Sequence, residues 1–252
     1  MENGIMEFKG NLDEFEMSRY IDLDLYHAVE RSHPYYEEMI TEILKEIRNI
    51  SAQLNRKLKI LEIGAGTGIL TQELVNLDVG SVDALEIDQN CLDVLEKHIC
   101  GSVNCILGDA VEYSDEPYDL VVSTFAHDHI HYDRATSLVE NIRRNLKMGG
   151  VYLMGGELLP KFETSEERNE SLYKYHGFIV DKAIRDGNYT LAQIEINAIK
   201  SGIEWIGDFK RHESQYEKEM LTGNFQLNWK RKMGPLHLET VGGVFVYNHV
   251  AI

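Results

Sequence analysis

Cysteine is scarce. Cys91, Cys100 and Cys105 are an odd set with no Cys-x-x-Cys pair, which argues against a disulfide frame or a zinc knuckle and fits reduced thiols in the cytosol. Proline is nearly as rare, with Pro34, Pro117, Pro160 and Pro235 in 252 residues, so no segment reads as a stiff spacer, and there is no internal repeat. No apolar run approaches the roughly 20 residues that span a bilayer. The opening MENGIMEFKG lacks the basic and apolar regions of a signal peptide. Positive charge is the remaining shortage: 25 Lys and Arg stand against 42 acids, a formal charge of −17. Such a surface repels polyphosphate and anionic membranes at long range. The expectation is a soluble, cytoplasmic protein with neither nucleic acid nor membrane as partner.

What is present changes in texture along the chain. Residues 11–31 read as one helix, Pro34 as a helix start, and residues 35–50 as a second helix, with Met39, Ile40, Ile43, Leu44 and Ile47 at helical spacing. From Lys57, the short apolar runs LKILEIG, VDALEID, VNCILGD, YDLVVST and VYLMGGELL alternate with helical stretches such as 89–99 and 134–146. That alternation predicts an α/β fold, a doubly wound parallel sheet with helices on both faces. The strands are apolar throughout, as strands covered on both faces are. After Pro160 the alternation stops. Residues 164–185 and 190–200 read as helices joined by an Asp186-Gly187-Asn188 turn, 212–221 as a helix capped by Ser214, and 225–233 with 242–250 as an antiparallel edge hairpin. The expected organisation is a helical N-terminal cap (1–56) and a main domain (57–252) with a helical insertion at 161–211.

The sharpest motif is Leu61-Glu62-Ile63-Gly64-Ala65-Gly66-Thr67-Gly68, a strand end that opens into a helix. Glycine suits a tight turn whose backbone approaches a ligand. A nucleoside-binding fold also needs an acid about 20 residues further on, at the tip of the second strand, to take ribose hydroxyls, and Glu86 lies 22 residues after Gly64. The spacing is G-x-G-x-G rather than the dinucleotide G-x-G-x-x-G, and Glu62 precedes it. A carboxylate there disfavours a pyrophosphate and favours an ammonium group, which points to S-adenosylmethionine.

On these residues the chain resembles the class I, Rossmann-like S-adenosylmethionine-dependent methyltransferases of small-molecule type. LEIGAGTG looks like that family's first motif, Glu86 matches its ribose acid, and Gly108-Asp109-Ala110 matches the segment whose Asp meets the adenine amino group. YDLVVSTFAH resembles its fourth-strand motif. LKMGG resembles the turn before the fifth strand, where the family more often has Pro in place of Met148, and EKEMLTGNF resembles the helix before the sixth strand. The resemblance implies a seven-stranded, mostly parallel sheet whose last strand is antiparallel. It implies S-adenosylmethionine as cofactor, leaving as S-adenosylhomocysteine. The contacts it implies are Glu62, Gly64, Ala65, Gly66, Thr67, Gly68, Glu86, Ile87, Asp109, Ala110, Ser123 and Thr124, with Tyr20 and Tyr26 covering the methyl donor.

Four further residues crowd one segment, His127, Asp128, His129 and His131. They run from strand into loop, so their side chains need not converge, and no metal is expected. His127 is the first candidate for a general base at the acceptor and His129 the second, because histidine titrates near neutral pH. His131 reads as a surface residue and Asp88 as a helix N-cap. Tyr173, Tyr175, His176 and Phe178 lie on one predicted helix of the insertion, one face packing on the sheet and the other roofing an acceptor site. The expected function is methyl transfer to a small-molecule acceptor. RNA or protein methyl transfer and non-catalytic cofactor binding are the alternatives. A nicotinamide-dependent oxidoreductase is disfavoured by the glycine spacing and Glu62. Neither the acceptor nor an oligomeric state is legible.

Overall fold

A computed structural model describes residues 17–19, 22–99 and 101–252. Seven strands form one sheet in the order β3-β2-β1-β4-β5-β7-β6. They are β1 (Leu58–Ile63), β2 (Gly80–Glu86), β3 (Asn104–Leu107), β4 (Tyr118–Thr124), β5 (Leu146–Leu158), β6 (Phe225–Gly234) and β7 (Gly243–Ala251). The first five pair in parallel. β7 runs antiparallel to both of its neighbours, so the expected hairpin exists, but only β6 is at the edge and β7 is enclosed.

Alternate residues of each strand explain why the strands are apolar throughout. Ile60, Val82, Leu120, Val122, Leu153, Val244 and Val246 face one helical layer. Leu61, Leu85, Val121, Tyr152, Met154, Phe245 and Tyr247 face the other. The first layer contains α2 (Tyr36–Leu54) and α3 (Ile69–Leu77), which meet the sheet through Met39, Ile40, Ile43, Ile47, Leu70 and Leu74; α4 (Gln89–His98) packs through Leu95 on Ala84. The second is α5 (Tyr132–Asn145) with α8 (Glu213–Thr222). The segment expected as a cap therefore divides. α2 covers the sheet, while the short α1 (Leu23–Val29) lies over the strand ends.

Residues 11–31 are not one helix within the described range. A single 3₁₀ turn spans Met17–Arg19, and Asp22 then takes extended backbone and caps a new helix, accepting from the Leu25 N–H. The cap of α8 is His212, which accepts from the Gln215 N–H, rather than Ser214. The insertion comprises α6 (Ser165–Arg185) and α7 (Tyr189–Glu204), with a small core of their own built on Leu172, Tyr175, Ile179, Leu191 and Ala192. Its return is tied to the sheet, since the Leu159 N–H donates to the Arg211 carbonyl and the Phe209 N–H to that of Asp128. No helix among the described residues is long and apolar enough to cross a membrane.

Candidate active site

The sheet reverses its winding between β1 and β4, where open α/β sheets bind ligands at their carboxyl ends. A cavity of about 720 Å³ lies there. Gly64 and Gly66 border it after β1, Glu86 and Ile87 after β2, Gly108, Asp109 and Ala110 after β3, and Ser123 and Thr124 at the end of β4. Tyr26 of α1 lies opposite. Tyr20 falls outside the described residues.

The loop is held by the acid behind it. Glu86 is buried and accepts from the backbone N–H groups of Gly66, at 2.7 Å, Ile87, at 2.9 Å, and Asp88, at 3.0 Å. Burial raises its pKa, and these three donors oppose the rise. Gly64 has φ +67°, and a Cβ there would stand 2.6 Å from that of Ala126. Gly66 has φ +54°, and a Cβ there would meet nothing within 4 Å, so its backbone is open to a ligand. An acid at the ribose position, bare backbone beside it and a cavity of this size fit a nucleoside-bearing cofactor.

Four of the expected contacts in the motif do not border the cavity. Ala65 packs with Leu95 and Ile99. Thr67 is buried and its hydroxyl meets the ring of His27 at 2.9 Å. Gly68 starts α3. Glu62 shares the strand face of Ile60, so it turns beneath the loop toward α3, where it is 2% exposed and one carboxyl oxygen has no partner among the described residues. Burial, with the charge of Glu86 adding to it, raises its pKa to about 8. At neutral pH and without a ligand it is mostly protonated. Asp109 borders the cavity but is ion-paired with Arg134 of α5, a partner with no motif to announce it. Asp88 is the N-cap of α4.

The histidines separate. His127 borders the cavity with its ring buried, Nε2 lying 3.0 Å from Glu219 and the ring edge-on to Tyr216. Burial lowers its pKa. His129 is exposed, with Nδ1 at the Gly207 carbonyl. His131 is buried rather than on the surface, and caps α5 through the Asp133 N–H. Among the described residues, no three His, Cys, Asp or Glu side chains are grouped to hold a metal.

Above β4 and β5 lies a buried charge network that no motif predicted. Lys210 Nζ meets Asp208 at 2.8 Å and both Asp128 and Glu157 at 3.1 Å. His33 Nε2 lies 2.9 Å from Glu157 and 3.8 Å from Glu195. Tyr175 donates to Glu157 at 2.6 Å. Burial opposes charge on His33, but Glu157 and Glu195 outweigh it and raise its pKa to about 9. Burial likewise opposes charge on Lys210, yet its three carboxylates hold its pKa well above the usual lysine value. Glu30, beside Tyr26, is pushed up to about 7 by burial. The insertion walls this side through α7, from Tyr189 to Ser201. Of the α6 aromatics only His176 borders the cavity; Tyr175 is in the insertion core and Tyr173 is exposed.

A doubly wound sheet with a glycine loop after β1 and an acid ending β2 defines a Rossmann-like nucleoside-binding domain. Residues 60–150 match the family described as "Methyltransferase domain". The chain is 27% identical over 120 residues to the ribosomal protein L11 methyltransferase of Dictyoglomus turgidum, covering 46% of this chain and 38% of that one. It is 30% identical over 138 residues to the ribosomal RNA small subunit methyltransferase A of Campylobacter jejuni strain RM1221, covering 51% and 48%. It thus spans about half or less of these two relatives' lengths. In fold it is similar to an S-adenosylmethionine-dependent methyltransferase from Clostridium acetobutylicum, with a TM-score of 0.61 at 13% identity, covering 90% of this chain and 96% of that one. Residues 60–150 thus match a methyltransferase domain, and the chain shares the Rossmann-like fold of an S-adenosylmethionine-dependent methyltransferase.

Proposed function

We propose that this chain transfers the methyl group of S-adenosylmethionine to a small molecule held inside the cavity. One observation carries the reading. Gly66 and Glu86, on neighbouring strand ends, face a cavity of about 720 Å³ that α1 and α7 wall from other sides, a volume suited to a cofactor and a small acceptor together. Glu86 takes the ribose hydroxyls, Gly64 and Gly66 present bare backbone, and Ile87, Asp109 and Ala110 border the base. Ser123, Thr124 and Tyr26 border the space leading to β4 and β5, where the acceptor lies. When bound, the cofactor supplies a methyl group made electrophilic by its sulfonium. The residues of this chain contribute alignment and the exclusion of water by α1 and α7.

An RNA or protein acceptor is the second reading, favoured by the names of the two curated relatives. The enclosing helices and the carboxylates beside β4 and β5 disfavour a phosphate chain there. Methyl-tritiated S-adenosylmethionine offered with a small-molecule extract, ribosomal RNA or ribosomal proteins separates the readings. Label is expected in the small-molecule fraction. Label confined to RNA or protein supports the second reading, and tight cofactor binding with no transfer to any fraction supports a non-catalytic role.

A further inference from the structure

The acceptor side of the cavity holds a histidine in an unusual state of satisfaction. His176 is 1% exposed and borders the cavity. Its Nδ1 lies 2.8 Å from Glu195 Oε2, and its Nε2 has no hydrogen-bond partner among the described residues. A carboxylate on one ring nitrogen fixes the proton there and leaves the other nitrogen as a lone pair. A buried lone pair without a donor is costly to keep, so the site lacks a hydrogen-bond donor.

The surrounding charge is unequal as well. Glu30, Asp128, Glu157, Glu195 and Asp208 border this part of the cavity, against the cations of Lys210 and His33. Lys210 is shared among Asp128, Glu157 and Asp208, while His33 is drawn to Glu157 at 2.9 Å and only at 3.8 Å to Glu195. With Glu30 neutral, the four remaining carboxylates face three cations, since buried Arg168 lies 3.8 Å from Asp208, and one negative charge is in excess. The least compensated of them is Glu195, the one that orients His176.

We propose that the acceptor is a small amine, and that His176, oriented by Glu195, receives its proton. This rests on the methyl-transfer reading above. The amine enters as an ammonium ion, whose charge offsets the carboxylate excess and whose N–H meets His176 Nε2. The proton passes to Nε2, and the freed nitrogen lone pair forms the bond to the methyl carbon. The carbon–sulfur bond breaks with its electron pair staying on sulfur, leaving a methylated ammonium product and S-adenosylhomocysteine. His176, now an imidazolium beside Glu195, returns its proton to solvent. Glu30, His33, Glu157, Asp208 and Lys210 are charged or titratable groups around the dyad. His127, by contrast, already has its Nε2 at Glu219.

Two readouts test this. The first needs no acceptor: nitrogen-15 spectra of the histidines should show His176 with the proton on Nδ1 and a bare Nε2, and Glu195→Gln should change that state. A proton on Nε2 of neutral His176, or a state indifferent to Glu195→Gln, overturns the proposal. The second begins with calorimetry of S-adenosylhomocysteine; absence of binding overturns both this proposal and the function on which it rests. With that product bound, benzylamine and propylamine are titrated against benzyl alcohol and propanol. Each amine is expected to bind at least about tenfold more tightly than its alcohol, with the preference lost in Glu195→Gln. Equal or weaker amine binding, or none, overturns the amine assignment while leaving cofactor binding established. Methyl transfer to the bound amine should fall at least about 100-fold in His176→Ala and recover in part with imidazole, at unchanged product affinity. A smaller fall, or no recovery, overturns the base role.

Discussion

The two halves of the cavity are built in opposite ways. Beside β1 and β2 the groups come from short continuous stretches, and the main chain supplies most of the chemistry: the loop turns through Gly64 and Gly66, and Glu86 is fixed by three nearby N–H groups. Beside β4 and β5 the groups are side chains from distant parts of the chain, His33 before α2, Asp128 after β4, Glu157 in β5, His176 in α6, Glu195 in α7 and Lys210 after it. The first half is suited to a cofactor common to many proteins. The second is a buried charge network that only the folded chain brings together.

If the second half stands on mutual compensation of charge, removing its central cation should give the largest effect. Lys210→Met leaves three buried carboxylates without their shared partner, and breaking a buried pair from one side costs about 3–5 kcal/mol. Denaturant unfolding should show that loss, with partial recovery in Lys210→Met/Glu157→Gln. A loss below about 1 kcal/mol would mean that solvent already screens the network.

The first half should respond to pH through Glu62. Its pKa is about 8 when folded and near 4.5 otherwise, so between these values the native state holds a proton that the unfolded chain releases. Stability is therefore complete below the lower value and falls as pH rises toward the upper one. Glu62→Gln removes this dependence. Its stability relative to wild type should rise by about 3–4 kcal/mol between roughly pH 5 and pH 8, at about 1.4 kcal/mol per unit. Parallel pH profiles for the two proteins would place an ionised Glu62 under the loop.

Next in size is Glu86→Ala, which should weaken S-adenosylmethionine binding at least about tenfold, or about 1.4 kcal/mol. Unchanged affinity in calorimetry would remove Glu86 from the cofactor half. Gly66→Ala should be the mildest for stability. Its Cβ meets nothing, so the cost is the left-handed backbone alone, about 1–2 kcal/mol at most. A larger loss in thermal unfolding would mean that the loop packs against something beyond the described contacts.

The same contrast explains what could be read from the sequence. Glycine spacing, an acid at the right separation and doubly apolar strands are local signals, and they located the sheet and most of the residues beside β1, β2 and β3. Alternation along β1 turns Glu62 toward α3, a consequence of strand parity that the motif alone conceals. The Arg134 pairing with Asp109, and the whole Lys210 network, depend on long-range docking of the insertion and carry no spacing signature. The spacing of the α6 aromatics suggests a roof, yet helix phase sends Tyr175 into the insertion core and leaves most of that wall to α7. The place of His127 after β4 is legible in the sequence, whereas its partner Glu219, 92 residues away, is not.

The central claim, that one cavity joins a cofactor half to an acceptor half, is tested most directly by a crystal structure with S-adenosylhomocysteine. The account predicts ribose hydroxyls on Glu86, the loop backbone of Gly64 and Gly66 against the ligand, and the sulfur opening toward the space bordered by Glu157 and His176. A ribose bound elsewhere, or a sulfur directed away from the β4 and β5 ends, would contradict it.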